Sequence, residues 1–344
     1  MISFECDYNN GMLPEILENL SLTNDIKTSG YGFDPYCEAA KEKIRKAVGN
    51  DQAEVFFLVG GTQTNTTVID SLLQGCEGVI CVDTGHIEVH EAGAIEAFGH
   101  KVLTIPSTDS KLKANDLTSY MDTFLSDETY PHMVQPGMVY ISMPTEFGMV
   151  YTRDELSSLY VTCQKYHLRL FIDGARLGYG LMSSACDYDL PFLAKHCDVF
   201  YIGGTKVGAM FGEAVVFSGM QTPKYFFTHV KRHGALLAKG RMLGIQFDTL
   251  FTDDLYFKVS RHAIAMALRI RQIFAKHHIP LAYDSPTNQQ FVTLPASLYE
   301  SLSKHVAFEI WERKSKDHII CRFVTSWATK EEELDELDRI LGEI

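Results

Sequence analysis

The sequence lacks any uninterrupted apolar stretch of about 18 residues, the length that a membrane-spanning helix requires. Its first residues, Met1 to Asp7, also lack the basic segment followed by an apolar core that marks a secretory signal peptide. These absences argue against membrane insertion and secretion. We therefore expect a cytoplasmic protein without a membrane partner.

Paired cysteines and dense basic runs are missing as well. The eight cysteines are scattered and none forms a Cys-x-x-Cys pair, which favours reduced thiols. The formal net charge is −13 and the pI is about 5.4, and no Lys/Arg run forms a track for nucleic acid. A small-molecule ligand is the better expectation. If that ligand is an anion, particular residues must form a local cationic pocket.

Two common nucleotide-binding motifs are also absent. Gly60-Gly61-Thr62 follows an apolar run, but no Gly-Lys-Ser/Thr comes after it, as a Walker loop would require. The segment does not match the dinucleotide pattern Gly-x-Gly-x-x-Gly either. An unrelated nucleotide-binding α/β protein stays an alternative, but it would need a phosphate loop that the sequence does not show.

The chain does contain a regular alternation of short apolar runs and helical segments. Its 344 residues exceed the size at which single cores stop growing, about 250–300 residues, so we predict two domains, residues 1–247 and 248–344. The predicted strands are apolar on both faces, as in a mostly parallel sheet covered by helices. These strands cover 54–59, 78–83, 101–105, 138–142, 168–173, 199–202 and 214–217, the last forming a hairpin-like neighbour of the one before. Helices are predicted at 37–48, 65–73, 86–98 and 154–167, and the smaller α+β part has helices at 256–277 and 330–344 and strands at 290–294 and 318–324.

Three polar clusters follow predicted strands, at residues 60–65, 173–176 and 203–206. Ligands in open α/β sheets bind at the carboxyl ends of strands. In the first cluster, the N-terminus of the following helix offers free N–H groups to a phosphate, Gly61 allows close approach and Thr62 adds a hydroxyl. Taken alone, a plain strand-to-helix turn explains this cluster better.

The other two clusters carry an acid and an amine. Asp173 follows an apolar strand, and a buried carboxylate needs a partner. That partner is Arg176 or a helix N-terminus if the role is structural, and a protonated pyridine nitrogen if the role is catalytic. Lys206 lies in a Gly-rich turn, where it is either a solvated surface lysine or a buried amine with a lowered pKa that forms imines. The order of the two residues and their separation of 33 positions favour the catalytic interpretation.

His86 and His90 have the i, i+4 spacing of a metal-binding pair, but Ile87 stands where the zinc-protease pattern has glutamate. We therefore expect no metal site. His86, at a predicted helix start, is either an ordinary capping or surface histidine or a ring that lies flat on an aromatic cofactor.

Taken together, these residues resemble the threonine aldolase and β-eliminating lyase family of fold-type-I pyridoxal 5′-phosphate (PLP) enzymes. The resemblance covers nearly the whole chain and is strongest from Tyr31 to Lys206. It rests on Tyr31-Gly32-Phe33-Asp34-Pro35, Gly61-Thr62-Gln63-Thr64-Asn65, His86, Asp173-Gly174-Ala175-Arg176 and Lys206. It implies an aspartate aminotransferase-like large domain with a mostly parallel seven-stranded sheet and a smaller C-terminal α+β domain.

The resemblance also implies roles for individual residues. Lys206 would hold PLP as a Schiff base, Asp173 would face the ring nitrogen, and His86 would stack on the ring. The other cofactor contacts implied are Gly61, Thr62, Arg176 and Lys239, the last reaching the phosphate of a neighbouring subunit, and the implied substrate contacts are Cys6, Tyr31, Arg176 and Arg322, the last holding the substrate carboxylate. A homodimer or homotetramer with shared active sites is therefore expected.

Two positions depart from the family pattern. Cys6 replaces the usual serine, and the family's Asn-Thr-His segment reads Met143-Pro144-Thr145-Glu146 here, so the histidine that touches the substrate hydroxyl is absent. The function implied is cleavage of a β-hydroxy-α-amino acid, threonine or allo-threonine, to glycine and an aldehyde. The candidates for the base are His86, His90, Glu91 and a phosphate-bound water. β-Elimination, racemisation or transamination remains an alternative, as does a non-enzymatic, PLP-binding regulatory protein.

Overall fold

The structure is a computed structural model that describes all 344 residues. In chain order the strands are β1 Ile2–Ser3, β2 Glu54–Leu58, β3 Glu77–Val82, β4 Val102–Ile105, β5 Gln135–Ser142, β6 Arg169–Asp173, β7 Val199–Gly203, β8 Glu213–Phe217, β9 Leu281–Tyr283, β10 Gln289–Pro295, β11 Val306–Ala307, β12 Glu309–Arg313 and β13 His318–Val324. The α-helices are α1 Pro14–Leu22, α2 Pro35–Val48, α3 Gly61–Leu72, α4 His86–Val89, α5 Ala94–Ala97, α6 Ala114–Ser126, α7 Arg153–Lys165, α8 Leu177–Leu181, α9 Leu190–Lys195, α10 Phe226–Arg232, α11 Arg241–Leu250, α12 Leu255–Lys276, α13 Ala296–Leu302 and α14 Glu331–Glu343. No helix combines the length and the apolar character that crossing a membrane requires.

Seven strands form one sheet in the order β2-β8-β7-β6-β5-β3-β4. The strands from β7 to β4 pair in parallel, and β8 runs antiparallel to both of its neighbours, β7 and β2. All the strands except β8 therefore end at the same edge of the sheet. The predicted α/β fold with a mostly parallel seven-stranded sheet is confirmed, as is the hairpin-like pairing of the last two strands.

The strands are apolar on both faces because helices cover both faces. Leu170 and Ile172 of β6 belong to one buried cluster, while Phe171 between them belongs to another on the opposite face. This alternation follows from the two-residue period of a strand. Buried on both sides, the sheet holds its strand ends in fixed positions, and the polar clusters lie at those ends.

The helix predicted over residues 86–98 is wrong. The structure has two short helices there, α4 and α5, separated by a turn in which Ala92 (φ 53°) and Gly93 (φ 70°) adopt the left-handed conformation. A continuous helix is interrupted because Glu91 is buried and accepts hydrogen bonds from Asn65 and His86. These tertiary contacts outweigh the helical preference of the local sequence.

The C-terminal part contains a four-stranded sheet in the order β12-β13-β10-β9. The N-terminal strand β1 pairs with β11, and Phe4 packs in the core beneath this sheet. Helix α12 contributes Ala263 to the core of the large sheet and Ile270 to the core of the small one. Both ends of the chain therefore meet in this part, and the division at residues 247 and 248 stays a prediction.

Candidate active site

A cavity of about 160 Å³ lies at the edge where the parallel strands end. It brings together seven of the residues predicted from the sequence, which are Gly61, Thr62, His86, Glu91, Asp173, Arg176 and Lys206. These residues come from four separate segments that follow β2, β3, β6 and β7. The sheet thus brings strand ends that are distant in sequence together, and their polar residues form one wall of the cavity.

Asp173 lies at the end of β6 and is buried. Its Oδ2 accepts hydrogen bonds from Asn65 (3.0 Å) and Tyr140 (2.6 Å), and its Oδ1 accepts from Tyr201 (2.5 Å) and the backbone N–H of Ala175 (3.0 Å). Burial alone would raise the pKa of Asp173, but the charge of His86 and these hydrogen bonds outweigh it and lower that pKa. The carboxylate is therefore held ionised without a basic side chain bonded to it.

Lys206 follows β7 and its amine lines the same cavity. Burial and the nearby charge of Arg176 lower the pKa of Lys206 to about 8, although Asp7 and Asp173 oppose this shift. Glu213, at the start of β8, lies beneath the lysine turn and accepts hydrogen bonds from the Thr205 hydroxyl and the Gly204 N–H. An amine with a lowered pKa is a better nucleophile near neutral pH.

Two glycines bring the acid and the amine together. The N–H of Gly203 donates to the carbonyl of Gly174 at 2.9 Å. A Cβ placed on Gly174 would lie 1.8 Å from the carbonyl oxygen of Tyr201, and one on Gly203 would lie 2.3 Å from that of Ala175. The two strand ends therefore touch through their backbones, at positions that accept no side chain.

His86 begins α4 and lines the cavity with its ring partly exposed. Its Nδ1 lies 2.7 Å from Oε1 of Glu91, the same oxygen that accepts a hydrogen bond from Asn65 at 2.7 Å. Because Asn65 also bonds to Asp173, one buried network joins the histidine to the strand-end acid. This network fixes the orientation of the imidazole.

The N-terminus of α3 forms another part of the wall. Gly61 and Thr62 are its first residues, and no side chain caps the helix there. A Cβ on Gly61 would lie 3.3 Å from the hydroxyl of Tyr201, so the glycine keeps this corner open. Free N–H groups at the positive end of a helix dipole suit a phosphate.

The structural interpretation of the sequence pairs Arg176 with Asp173, but the structure does not contain this pair. The Nε and Nη2 of Arg176 donate instead to the two oxygens of Asp7, at 2.7 and 3.0 Å. Burial and then the charge of Arg176 lower the pKa of Arg322, so the two guanidinium groups repel one another. Arg176 is thus paired with Asp7 and Arg322 with Glu309, and a further anion would have to bind beside these pairs.

Five predicted residues do not line this cavity, namely Cys6, Tyr31, His90, Lys239 and Arg322. Arg322 is buried on β13, where it donates to Gln289 and Glu309. Tyr31 is 45% exposed, and its N–H donates to the carbonyl of Ala238, which precedes Lys239. Tyr31 and Lys239 thus share one surface of the chain, away from the chain's own cavity.

Five residues that contact this network were not predicted as site residues, and they are Asn65, Tyr140, Glu146, Tyr201 and Glu213. Tyr140 and Tyr201 lie inside apolar strands, where a tyrosine indicates core packing. They differ from ordinary core tyrosines only because their hydroxyls donate to a buried carboxylate on a neighbouring strand, and that carboxylate needs hydrogen-bond partners. The register that pairs Tyr140 with Phe171, two residues from Asp173, is not visible in the sequence.

The rings of His86 and His90 are 5.6 Å apart and contact other side chains. A different grouping of metal-type ligands, Asp70 with His229 and His233, lies outside the cavity. One oxygen of Asp70 already accepts hydrogen bonds from both imidazoles and has Arg232 at 3.4 Å.

The cavity fits PLP in three respects. Asp173 has a lowered pKa and no basic side chain bonded to it, so a cationic ring nitrogen would balance its charge. The Lys206 amine has a lowered pKa, and the α3 N-terminus offers N–H groups to the phosphate. The fold and this cavity define a fold-type-I PLP-dependent enzyme.

The chain belongs to the beta-eliminating lyase family, whose model matches residues 12–296. It is 30% identical over 338 residues to the "Low specificity L-threonine aldolase" of Pseudomonas sp. (strain NCIMB 10558), covering 97% of this chain and 95% of that protein. It is also similar to a solved structure of Leishmania major threonine aldolase, with a TM-score of 0.96 and 38% identity over 100% of this chain and 99% of that one. A Thermus thermophilus aspartate aminotransferase shares the fold alone, with a TM-score of 0.73 and 13% identity over 100% of this chain and 91% of that one.

Proposed function

We propose that the protein cleaves a β-hydroxy-α-amino acid, threonine or allo-threonine, to glycine and an aldehyde. The observation that carries this proposal is the single cavity in which the Lys206 amine, the ionised Asp173 and the His86 ring meet. The names of the Pseudomonas and Leishmania relatives support the same reaction.

Each residue has a part in holding the cofactor. We propose that Lys206 binds PLP through its amine, Asp173 holds the proton on the ring nitrogen, and the ring of His86 covers one face. The N–H groups of α3 at Gly61 and Thr62 bind the phosphate. When bound, PLP supplies an electron-withdrawing ring that accepts the electron pair left on Cα.

The substrate carboxylate is assigned to the guanidinium groups. A guanidinium fork binds a carboxylate through two parallel hydrogen bonds. Asp7 pairs with Arg176 and Glu309 pairs with Arg322, but the buried Nε of Arg322 has no hydrogen-bond partner, so this guanidinium keeps a donor for the carboxylate. Holding the carboxylate there fixes which bond at Cα stands in the reactive orientation, and therefore which bond breaks.

We further propose a homodimer or homotetramer in the cytoplasm with shared active sites. The support is that Tyr31 and Lys239 lie on one surface outside the chain's own cavity. In this arrangement they would complete the cavity of a neighbouring subunit. We also retain the division into a large domain of residues 1–247 and a small domain of residues 248–344.

A second reaction deserves a test because Glu146 stands in the segment where the related family has a histidine. Purified protein would be incubated with L-threonine, L-allo-threonine and phenylserine, and the products would be identified. Glycine with the matching aldehyde is expected, together with a visible absorption band that changes when glycine is added. Formation of ammonia and a keto acid, or of the D-amino acid, would replace the proposal with elimination or racemisation, and the absence of any turnover would contradict an enzymatic role.

A further inference from the structure

Glu146 lies in the loop after β5 and lines the same cavity as Lys206 and Asp173. The loop is tightly held. The hydroxyl of Ser110 donates to Thr145 at 2.6 Å, and the N–H of Gly148 donates to the carbonyl of Thr145 at 2.8 Å. The carboxylate of Glu146 is therefore presented to the cavity by a fixed backbone.

The two oxygens of Glu146 have different surroundings. Oε1 accepts hydrogen bonds from the backbone N–H of His86 at 3.0 Å and from the hydroxyl of Ser142 at 2.6 Å. Oε2 makes no hydrogen bond, and the side chain is only partly buried. One oxygen thus anchors the carboxylate and the other is left for a ligand in the cavity.

Glu146 is also joined to the cofactor-binding network. The hydroxyl of Ser142 lies 3.3 Å from that of Tyr140, which donates to Asp173. Burial raises the pKa of Glu146, and the hydrogen bond from Ser142 offsets only part of this effect. A carboxylate with a raised pKa exchanges protons more readily near neutral pH.

The other candidates for the base are less well placed. The Nδ1 of His86 and the Oε1 of Glu91 bond to each other, and the Oε2 of Glu91 is sealed inside the protein without a partner. His90 does not line the cavity, and its ring packs near Trp311. Glu146, unlike Glu91, therefore combines an anchored oxygen with an unengaged one beside the cavity, and His86 is already assigned to the face of the cofactor ring.

We propose that Glu146 takes the proton from the β-hydroxyl of the substrate during cleavage and returns it in the reverse direction. The O–H bond breaks and its proton moves to Oε2 of Glu146. The electron pair of that bond forms the second bond of the aldehyde C=O. The Cα–Cβ bond breaks, its pair remains with Cα, and a proton from solvent then joins Cα to give glycine, while Glu146 releases the proton that it took to solvent. This inference rests on the proposed function.

The test compares two reactions of the same PLP-loaded enzyme. Cleavage of L-threonine or L-allo-threonine requires proton transfer from the hydroxyl, whereas exchange of the glycine α-proton with D₂O, followed by NMR, involves no hydroxyl. Glu146→Gln keeps an oxygen that accepts from His86 and Ser142 but cannot take a proton. Its cleavage rate should fall about 10²–10⁴-fold, while its glycine exchange rate and visible spectrum stay close to those of the unmodified enzyme.

Two further variants sharpen the result. Glu146→Asp keeps a carboxylate and should retain cleavage between the rates of the unmodified enzyme and of Glu146→Gln. Glu88→Gln removes an exposed carboxylate from α4, the helix of His86, and should leave both reactions unchanged. If Glu146→Gln does not bind PLP, the ratio of cleavage to exchange in Glu146→Asp decides, and an unchanged ratio overturns the proposal.

The possible failures are distinguishable. Equal losses of cleavage and exchange in Glu146→Gln would show that Glu146 only positions His86 or the cofactor, and no loss in either reaction would show that it has no part. Both results overturn this inference and leave the proposed function intact. Absence of cleavage by the unmodified enzyme with PLP bound would instead contradict the proposed function.

Discussion

The cavity has two sides that are built in different ways. The acidic side consists of Asp173, Glu91 and Glu146, and all three come from the large sheet and the loops that follow its strands. They are held by hydrogen bonds from Asn65, Tyr140, Ser142 and the backbone of His86, the donors at this edge of the sheet. This side is complete within one layer of the fold.

Lys206 and Arg176 line the basic side, and Arg322 lies buried outside the cavity. The three residues come from separate parts of the chain. Lys206 and Arg176 follow strands of the large sheet, whereas Arg322 lies on β13 of the small one. Asp7, near the N-terminus, bonds both to Arg176 and to Asn288 just before β10. The side proposed to bind the cofactor ring therefore comes from one sheet and its loops, while the side assigned to the substrate carboxylate depends on how the two sheets meet.

The largest effect is expected where the two sides share the cofactor, at Lys206. Lys206→Ala removes the amine that binds PLP, so turnover should fall to the background rate and the visible absorption band should be lost. Absorption spectra and product formation from threonine would measure both. Lys113→Ala, which removes a half-exposed lysine paired with Asp109, serves as the control. A Lys206→Ala protein that keeps the band and the activity would defeat the assignment.

The acidic side is tested by Asp173→Asn. The change keeps the shape of the side chain but removes the charge that opposes a cationic ring nitrogen, so kcat should fall about 10²–10³-fold with PLP still bound. Asp198→Asn is the matched control, because Asp198 is also buried but lies before β7, at the opposite edge of the sheet. Equal kinetic losses in both variants would mean that Asp173 acts on folding and not on the cofactor.

The lowered pKa of Lys206 predicts how fast the protein without cofactor captures PLP. Only the neutral amine attacks an aldehyde, and the neutral fraction rises as the pH increases through the pKa, which is about 8 here. Between pH 6 and pH 8 the rate should therefore rise roughly 50-fold and then level off, instead of rising up to the ordinary lysine pKa of about 10.4. Growth of the visible band after mixing measures the rate, and a midpoint near pH 10 would contradict the burial of this amine.

The smallest effect is expected on the side assigned to the substrate. Arg322→Ala removes a charge-assisted contact worth about 1.5–3 kcal/mol, so KM should rise about 10–100-fold with little change in kcat. Arg339→Ala, on the exposed face of α14, should change neither constant. An unaltered KM with PLP bound would remove Arg322 from the substrate site and weaken the distinction between the two sides.

The sequence predicted the site residues near the ends of the strands better than the site residues inside the strands. Asp173, Lys206, His86 and Gly61 could be found because each lies within a few residues of the end of an apolar run, which is a local signal. Tyr140 could not be found, because its hydroxyl has a role only through its hydrogen bond to Asp173, which lies on another strand 33 residues later in the chain. Register and strand order are properties of the whole sheet, and no local pattern encodes them.

The region around Glu91 shows the same limit in a helix. The residues from His86 to Phe98 favour a helix locally, yet the chain turns at Ala92 and Gly93, and Glu91 forms hydrogen bonds with Asn65 and His86.

Helices α1, α6 and α11 were not predicted either. Helix α11, for example, is buried along most of its length against α1 and α2, and its apolar stripe is correspondingly broad.

The contact between Gly174 and Gly203 means that the gap between Asp173 and Lys206 is set by main-chain geometry and not by the side chains around it. In the proposed arrangement this gap is the span that PLP bridges, and it does not depend on the other side chains of the wall. Even an alanine at either glycine would wedge the two strands apart and misplace both ends at once. Backbone packing would thus keep the spacing of the two cofactor-binding groups constant even if the substrate-binding residues changed.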